Sequence, residues 1–180
     1  MTGPRSRKLA KTPGRGAELR LRELGIRLPD APHPFGIYAE AVPAGDLLFL
    51  SGMLPTRGRE LAFTGRVGAE LDVAAGQQAA QLAALNGLAV AREFLGTLDT
   101  ITGVVRLGVS IATSDTFRDH PRVADGASEL LQNIFGSEKN PTRLIFGVTT
   151  LPLGAPVELE LIFAVGRSRA SRAALRRVKP

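Results

Sequence analysis

The chain has 180 residues, which is enough for one domain with its own hydrophobic core. It contains no cysteine, which excludes disulfides, thiolate metal sites and cysteine nucleophiles, and its two histidines give a metal site little support. The net charge of +6 is uneven, because residues 1–27 carry eight Lys/Arg against two Glu and residues 166–180 carry six Lys/Arg and no acid. The segment between these basic ends is net acidic.

The basic ends raise the question of a nucleic-acid partner. Lys/Arg clusters can hold nucleic acid or an anionic surface without sequence preference. However, the chain has eight Phe, one Tyr and no Trp, and nothing in it resembles the aromatic platform of single-strand binders. Solvated ends are therefore the favoured interpretation, with nucleic acid as a weak alternative. Because no apolar run approaches the roughly 20 residues that span a membrane, we expect no membrane partner and a cytoplasmic protein.

The first third of the chain predicts a basic extension and then strands. Residues 1–30 form the predicted N-terminal extension, with one short helix in "AELRLRELGI". Three prolines within 27–36 predict an extended connector. The segments "IYAEAV" and "DLLFLSG" predict two strands around the turn "PAG", and the loop-like stretch after them leaves room for a short strand at 61–64.

The rest of the chain alternates between helices and strands. The predicted elements are a helix at 70–96, a strand at 101–113, a helix at 114–136, and strands at 143–150 and 157–165. Gly96 and Gly136 are plausible helix stops, and Pro121 lies near the start of the second helix. This order predicts an α+β fold with both helices on one face of a sheet. We assign a single domain to 31–166 and a basic tail to 167–180.

Charges occur inside the last strand pair. Side chains alternate along a strand, so Glu158 and Glu160 share one face while the apolar residues between them share the other. A face that is neither plainly polar nor plainly apolar often meets another subunit. From alternation alone, an exposed sheet face explains both glutamates. Arg143, taken alone, is more often a surface or interface ion-pair residue than a ligand clamp.

Several motifs together carry a resemblance to a known family. "PTRLIFGVTTLPLGAPVELELIFAV" resembles the C-terminal signature of the Rid (RidA/YjgF-like) reactive imine/enamine deaminases, which reads P-x-R, strand, V-x-x-L-P, then V-E-hydrophobic-E. "FGIYAEAV" followed by "LLFLSGMLP" resembles the N-terminal signature of that family. The resemblance covers about residues 32–166 and is closest to a divergent branch. The family has also carried the labels endoribonuclease L-PSP and translation inhibitor.

The resemblance implies a fold, an assembly and a chemistry. The implied fold is chorismate-mutase-like, with a curved mixed sheet of βαβαββ type and two helices on one face. The implied assembly is a homotrimer with clefts between subunits. The implied reaction is hydrolysis of 2-imino or enamine acids to 2-oxo acids and ammonia, for which neither a cofactor nor a metal is needed.

The same resemblance implies residue roles. Arg143 matches the arginine that holds the substrate carboxylate, and a planar guanidinium suits this because it donates two parallel hydrogen bonds. Glu158 matches the glutamate that orients or activates the attacking water, a role that suits a partly buried carboxylate with a raised pKa. Tyr38 matches a tyrosine that lines the cleft, and Ser51 and Gly52 match a strand end where backbone groups approach the substrate.

Some positions depart from the family or stay open. Where the best-studied deaminases have an asparagine on the second helix, this chain has Ala124 or Asp125, and Asp125 either lines the cleft or is a solvated helix residue. His33 is expected to be exposed in the connector and His120 to be structural at a helix start. Ser51 has no base beside it in any motif, which argues against a nucleophilic serine.

Three functions compete on this evidence. The leading hypothesis is a hydrolase that deaminates imines or enamines carrying a small carboxylate. The alternative is a trimeric module that binds small carboxylate metabolites without turnover, since Arg143 would serve both. A ribonuclease or translation inhibitor is the least favoured, because the middle of the chain is acidic and lacks paired histidines and stacking aromatics.

Overall fold

A five-stranded mixed sheet forms the centre of the fold. The computed structural model describes residues 16–166, and the strands run in the order β1-β2-β7-β5-β6. Strands β5 and β6 are parallel and the other neighbours are antiparallel. The strands are β1 Ala41–Ala44, β2 Leu47–Leu50, β5 Ile101–Ala112, β6 Thr142–Val148 and β7 Val157–Val165, with a separate hairpin of β3 Thr56–Arg57 and β4 Glu60–Leu61.

Three helices accompany the sheet, namely α1 Ala17–Glu23, α2 Val73–Leu95 and α3 His120–Phe135. Helix α2 begins where the Asp72 side chain accepts a hydrogen bond from the Ala75 N–H and ends at Gly96, whose φ of 80° is the left-handed conformation that glycine adopts easily. Gly87 lets α2 approach the sheet, because a Cβ there would meet the Leu161 side chain on β7. Helices α2 and α3 lie on the same face of the sheet.

The predicted mixed α+β fold is therefore confirmed, with differences at element boundaries. The first strand begins at Ala41 rather than at 37, because the residues before it turn over a cavity. Helix α3 begins only at His120, next to Pro121, so 114–119 is not helical. In place of a strand at 61–64 there is the β3–β4 hairpin. In the described residues, no helix is both long enough and apolar enough to cross a membrane.

The short predicted helix in the N-terminal extension is present as α1. Its Ala17 and Leu21 are buried in the same hydrophobic core as the sheet and the long helices. The Arg20 Nε donates a hydrogen bond of 3.2 Å to the Asn133 carbonyl at the end of α3. Where the domain begins along the chain stays a prediction, and the tail 167–180 lies outside the described residues.

The two faces of the sheet differ as the alternation in β7 predicts. Val157, Leu159 and Leu161 are fully buried against the helices, while Glu158 is half-buried and Glu160 is exposed on the other face. We call this second face the outer face. Its exposed apolar side chains come from strands on both sides of β7 and include Val42, Phe49, Leu144 and Phe146. The outer face is thus partly apolar in a single chain.

Candidate functional site

A cavity of about 460 Å³ lies beside the end of β2 and the beginning of β7. This volume is within the range of small-molecule sites. The cavity contains four of the five residues for which the sequence predicts a role, namely Tyr38, Ser51, Gly52 and Glu158. Its remaining walls are mostly apolar and include Pro32, Phe35, Met53, Leu54, Pro152 and Leu153.

Glu158 and Gly52 form the floor of this cavity. Paired backbone hydrogen bonds join Met53 to Leu159, at 2.8 and 3.0 Å, and bring the segment after β2 alongside β7. The Glu158 carboxylate then lies directly over the Gly52 Cα, where any Cβ would collide with it. Burial raises the pKa of Glu158 above its ordinary value of 4.5. The result is a half-buried carboxylate with a raised pKa that lines the cavity.

The loop over the cavity is held by Ser51 and Tyr38. The Ser51 hydroxyl donates a 2.6 Å hydrogen bond to the Ala39 carbonyl. Because its proton is committed to a backbone acceptor, Ser51 has no partner that could activate it as a nucleophile. The Tyr38 hydroxyl accepts a hydrogen bond of 3.1 Å from the Phe35 N–H, while its ring stays partly exposed along the cavity wall. Both residues therefore shape the cavity.

Glu40 and His33 also line the cavity, and the sequence analysis assigned neither of them to a site. Burial raises the pKa of Glu40, His33 opposes this shift, and Glu93 adds to it. The missed signal was an acidic residue, Glu40, inside an otherwise apolar predicted strand and two positions after Tyr38. His33 is exposed as expected, yet it lies at the cavity wall. Among the described lining residues none is Lys or Arg, so this cavity has no strong cation of its own.

Helix α2 fixes the far wall of the cavity through a buried amide. The Asn86 Nδ2 donates to the Leu54 carbonyl at 2.9 Å and to the Thr56 carbonyl at 3.0 Å, and it lies 3.2 Å from the Thr56 hydroxyl. Asn86 and Thr56 are both buried. At the rim, Leu153 has a φ of 60°, a strained conformation for a leucine. The wall is thus held in place by long-range contacts.

Arg143 does not reach this cavity. It is paired with Leu107 across β5 and β6, and Leu107 is paired with Leu161, so Arg143 is on the helix face. Glu158 is paired with Ser110 and is on the outer face. The Arg143 Nη1 instead donates hydrogen bonds to the α3 side chains of Asp125 at 2.6 Å and Ser128 at 2.9 Å. A single chain therefore cannot hold a small ligand between Arg143 and Glu158.

On the second helix, Ala124 and Asp125 have different surroundings. Which of them takes the place of the family asparagine stays a prediction. Ala124 is fully buried in the core, whereas Asp125 contacts Arg143. His120 packs edge-on against the Phe117 ring, with centroids 5.0 Å apart, at the start of α3 and away from the cavity. In the described residues there is no group of three or more His, Cys, Asp or Glu side chains that could hold a metal ion.

The chain is similar to known proteins in both sequence and structure. Residues 18–165 match a family model described as "YjgF/chorismate_mutase-like, putative endoribonuclease". The chain is 39% identical to Protein TCP17 of Trypanosoma cruzi over 143 residues, which cover 79% of this chain and 89% of that protein. It is 33% identical to the 2-iminobutanoate/2-iminopropanoate deaminase of Dermatophagoides farinae over 142 residues, 78% of this chain and 94% of that one. Among solved structures, the chain resembles an endoribonuclease-like protein from Shewanella oneidensis, with a TM-score of 0.80 and 30% sequence identity. The superposition covers 84% of this chain and 100% of the Shewanella chain.

Proposed function

Because the chain belongs to the YjgF/chorismate mutase-like family, also called the Rid family, we propose that it hydrolyses 2-imino or enamine acids to 2-oxo acids and ammonia. The observation that carries the proposal is the cavity in which Glu158 lies over Gly52 beside Tyr38 and Ser51. A water-activating carboxylate and a mostly apolar cavity of small-molecule size are what this hydrolysis requires from a protein.

The proposed reaction needs a cation for the substrate carboxylate, and we assign this role to Arg143 of a neighbouring copy. Within one chain, Arg143 and Glu158 are on opposite faces of the sheet. The cavity itself contributes Glu40 and Glu158 but no Lys or Arg among its described lining residues. A homotrimer in which β6 of one subunit approaches the cavity of the next would supply the missing charge. The partly apolar outer face supports such an assembly.

We assign the proton transfers of the hydrolysis to Glu158. Water attacks C2 of the imine, its oxygen bonds to that carbon, and the C=N π electrons move to nitrogen. The Glu158 carboxylate takes a proton from the attacking water and returns a proton to the nitrogen. In the resulting carbinolamine, Glu158 takes the hydroxyl proton and delivers it to the nitrogen. The C–N bond then breaks, its electron pair leaves with ammonia, and the carbonyl of the 2-oxo acid forms. The imine is already electrophilic, so positioning and charge stabilisation suffice without a covalent intermediate.

A coupled assay tests this function. An amino-acid oxidase generates a 2-imino acid in the presence of semicarbazide, and deaminase activity slows semicarbazone formation by diverting the imine to the 2-oxo acid. We expect Arg143→Ala to lower kcat/KM about 100-fold, because it removes charge-assisted bidentate hydrogen bonds. We expect Glu158→Gln to lower kcat about 100-fold or more, as for loss of a general base.

Matched controls isolate these effects. Arg66→Ala removes an arginine that pairs with Glu70 outside the cavity, and Glu160→Gln removes the neighbouring carboxylate of the outer face. Both variants should retain activity if the assigned roles are correct. Wild-type protein that turns over no imine but binds 2-oxo acids would instead support the non-catalytic carboxylate-binding function. Full activity in Arg143→Ala would contradict the role of Arg143.

A further inference from the structure

The contacts of Arg143 use only one of its three nitrogens. Nη1 donates to the Asp125 Oδ1 at 2.6 Å and to the Ser128 Oγ at 2.9 Å. In the described part of the chain, Nε and Nη2 have no hydrogen-bond partner. The arginine side chain is 28% exposed, so Arg143 as a whole is partly open to solvent.

The unused edge is the one suited to a carboxylate. In a guanidinium, the Nε–H and one Nη2–H are parallel and form a side-on fork that matches two carboxylate oxygens. Nη1 is on the other side of the group. The contacts with Asp125 and Ser128 therefore restrain the guanidinium and leave its side-on fork available.

Helix α3 fixes the positions of the two side chains that bind Nη1. Asp125 and Ser128 are three residues apart and share one face of α3. Ala124 and Ala127, which come immediately before each of them, are fully buried in the core. Rotation of α3 would expose these alanines, so both partners are directed at β6 by the packing of the helix. An ordinary surface ion pair lacks this constraint and contributes little.

From these contacts we infer that Asp125 and Ser128 are positioning residues that hold Arg143 by Nη1 and direct its Nε/Nη2 edge at a single substrate carboxylate. The inference rests on the proposed function, because that function assigns the carboxylate to Arg143. The charge of Asp125 has a second consequence. It offsets part of the positive charge of Arg143. We therefore expect the site to prefer small monocarboxylates and to bind them more weakly than an isolated guanidinium would.

Calorimetric titration with 2-oxobutanoate, a 2-oxo monocarboxylate, tests the inference without requiring turnover. Asp125→Asn keeps an oxygen acceptor but removes the charge, and we expect about fivefold tighter binding, since one anion close to the bound carboxylate is lost. Asp125→Ala is uncharged as well but has no acceptor, and we expect about fivefold weaker binding than for Asp125→Asn, since one positioning hydrogen bond is lost. Ser128→Ala should weaken binding about twofold to threefold for the same reason.

Arg143→Lys is the control for the location of the ligand. It keeps the positive charge but cannot form the fork, so binding should weaken about tenfold if the carboxylate is held there. Thermal unfolding of each variant shows whether the fold is retained. A merely structural ion pair would change stability without separating the affinities of Asp125→Asn and Asp125→Ala.

Each result has a defined meaning. The expected order of affinities, whether or not imines are turned over, supports the inference, and absent turnover would then overturn only the deaminase function. Binding by Asp125→Asn but not by the wild type would overturn the inference, because Asp125 would then block Arg143. Equal affinity in all variants would also overturn it. If no variant binds, the carboxylate role of Arg143 fails together with the inference, while the parallel imine assay still decides the reaction.

Discussion

At the scale of single residues, the burial of Glu158 makes the free energy of unfolding depend on pH. Burial raises the pKa of Glu158 above 4.5, so the folded chain binds this proton more readily than the unfolded chain. Between pH 4.5 and the raised pKa the folded state therefore holds more protons, and the free energy of unfolding falls as the pH rises through this window. Above the window the buried charge destabilises the native state, and below it the difference disappears because both states are protonated.

Glu158→Gln should therefore stabilise the fold at neutral pH while it lowers activity. We expect the free energy of unfolding at pH 7 to rise by less than about 1 kcal/mol, since solvent screens a half-exposed group. Denaturant unfolding at neutral pH and again below pH 4.5, where the gain should vanish, checks this. Glu160→Gln is the control, because Glu160 is paired with Arg106 at 2.6 Å and its loss should not stabilise. A Glu158→Gln variant less stable than wild type at pH 7 would contradict the prediction.

Gly52 should be intolerant of any side chain. A Cβ at this position would collide with the Glu158 carboxylate, so Gly52→Ala must displace that carboxylate from the cavity floor. We expect kcat to fall about 10-fold to 100-fold with a small change in stability, because misplacing a catalytic group by about 1 Å has effects of this size. Gly103→Ala is the control, because its Cβ would meet only the Ala164 Cβ at 4.0 Å. The imine assay and thermal unfolding measure both outcomes.

At the scale of elements, helix α2 connects the core to the cavity through Asn86. Its amide nitrogen donates to the Leu54 carbonyl, which follows β2, and contacts two oxygens of Thr56, the first residue of β3. These acceptors are buried or partly buried, so they have no ready substitute partner. The position of this cavity wall therefore depends on helix α2.

Asn86→Ala should loosen this wall. We expect a loss of about 1–3 kcal/mol in the free energy of unfolding, because buried acceptors are left without a donor. Activity per folded molecule should also fall, since the segment from Leu54 to Thr56 loses its anchor. Gln81→Ala on the exposed side of α2 should change stability by about 0.5 kcal/mol or less. If Asn86→Ala unfolds like wild type in denaturant, the anchoring role is wrong.

At the scale of the whole molecule, we expect the outer face to contact another subunit. Phe146 is 53% exposed and Phe49 is 37% exposed, although both belong to the central sheet. A trimer through this face would bury them and would explain why they are not polar. Phe146→Arg should shift the particle to a smaller mass in light scattering after size exclusion and abolish imine turnover. Leu19→Arg, a similar change on α1, should leave the assembly intact.

Mixing subunits tests whether Arg143 and Glu158 come from different chains. Arg143→Ala and Glu158→Gln proteins would be denatured together and refolded at equal concentration. About one quarter of the interfaces in random cyclic trimers then combine an intact arginine with an intact glutamate, so about one quarter of wild-type activity should return. Refolding each variant alone is the control. No recovery in verified mixed trimers would mean that the two residues do not meet across an interface.

Much of the fold could be predicted from local sequence patterns. The last strand was predicted at 157–165 and is found there, because apolar residues at every second position require an extended chain with one buried face. Gly96 and Gly136 end the two long helices as predicted. The facing of Glu158 and Glu160 away from the core follows from the same alternation.

The site required the tertiary structure. Strand β5 lies between β6 and β7, and its pairing registers place Arg143 on the helix face and Glu158 on the outer face, which no local pattern specifies. Glu40 reaches the cavity because the chain before β1 turns over it instead of continuing as a strand.

The sequence by itself determined the order of the long helices and the strands of the main sheet, the buried face of the last strand and the family, since these depend on residue periodicity and short motifs. Only the tertiary structure decided that Asp125, rather than Ala124, contacts Arg143, and that Arg143 is far from the cavity. The reason is physical: a helix pattern fixes which residues share a face, but the neighbour that each face meets depends on how distant segments pack.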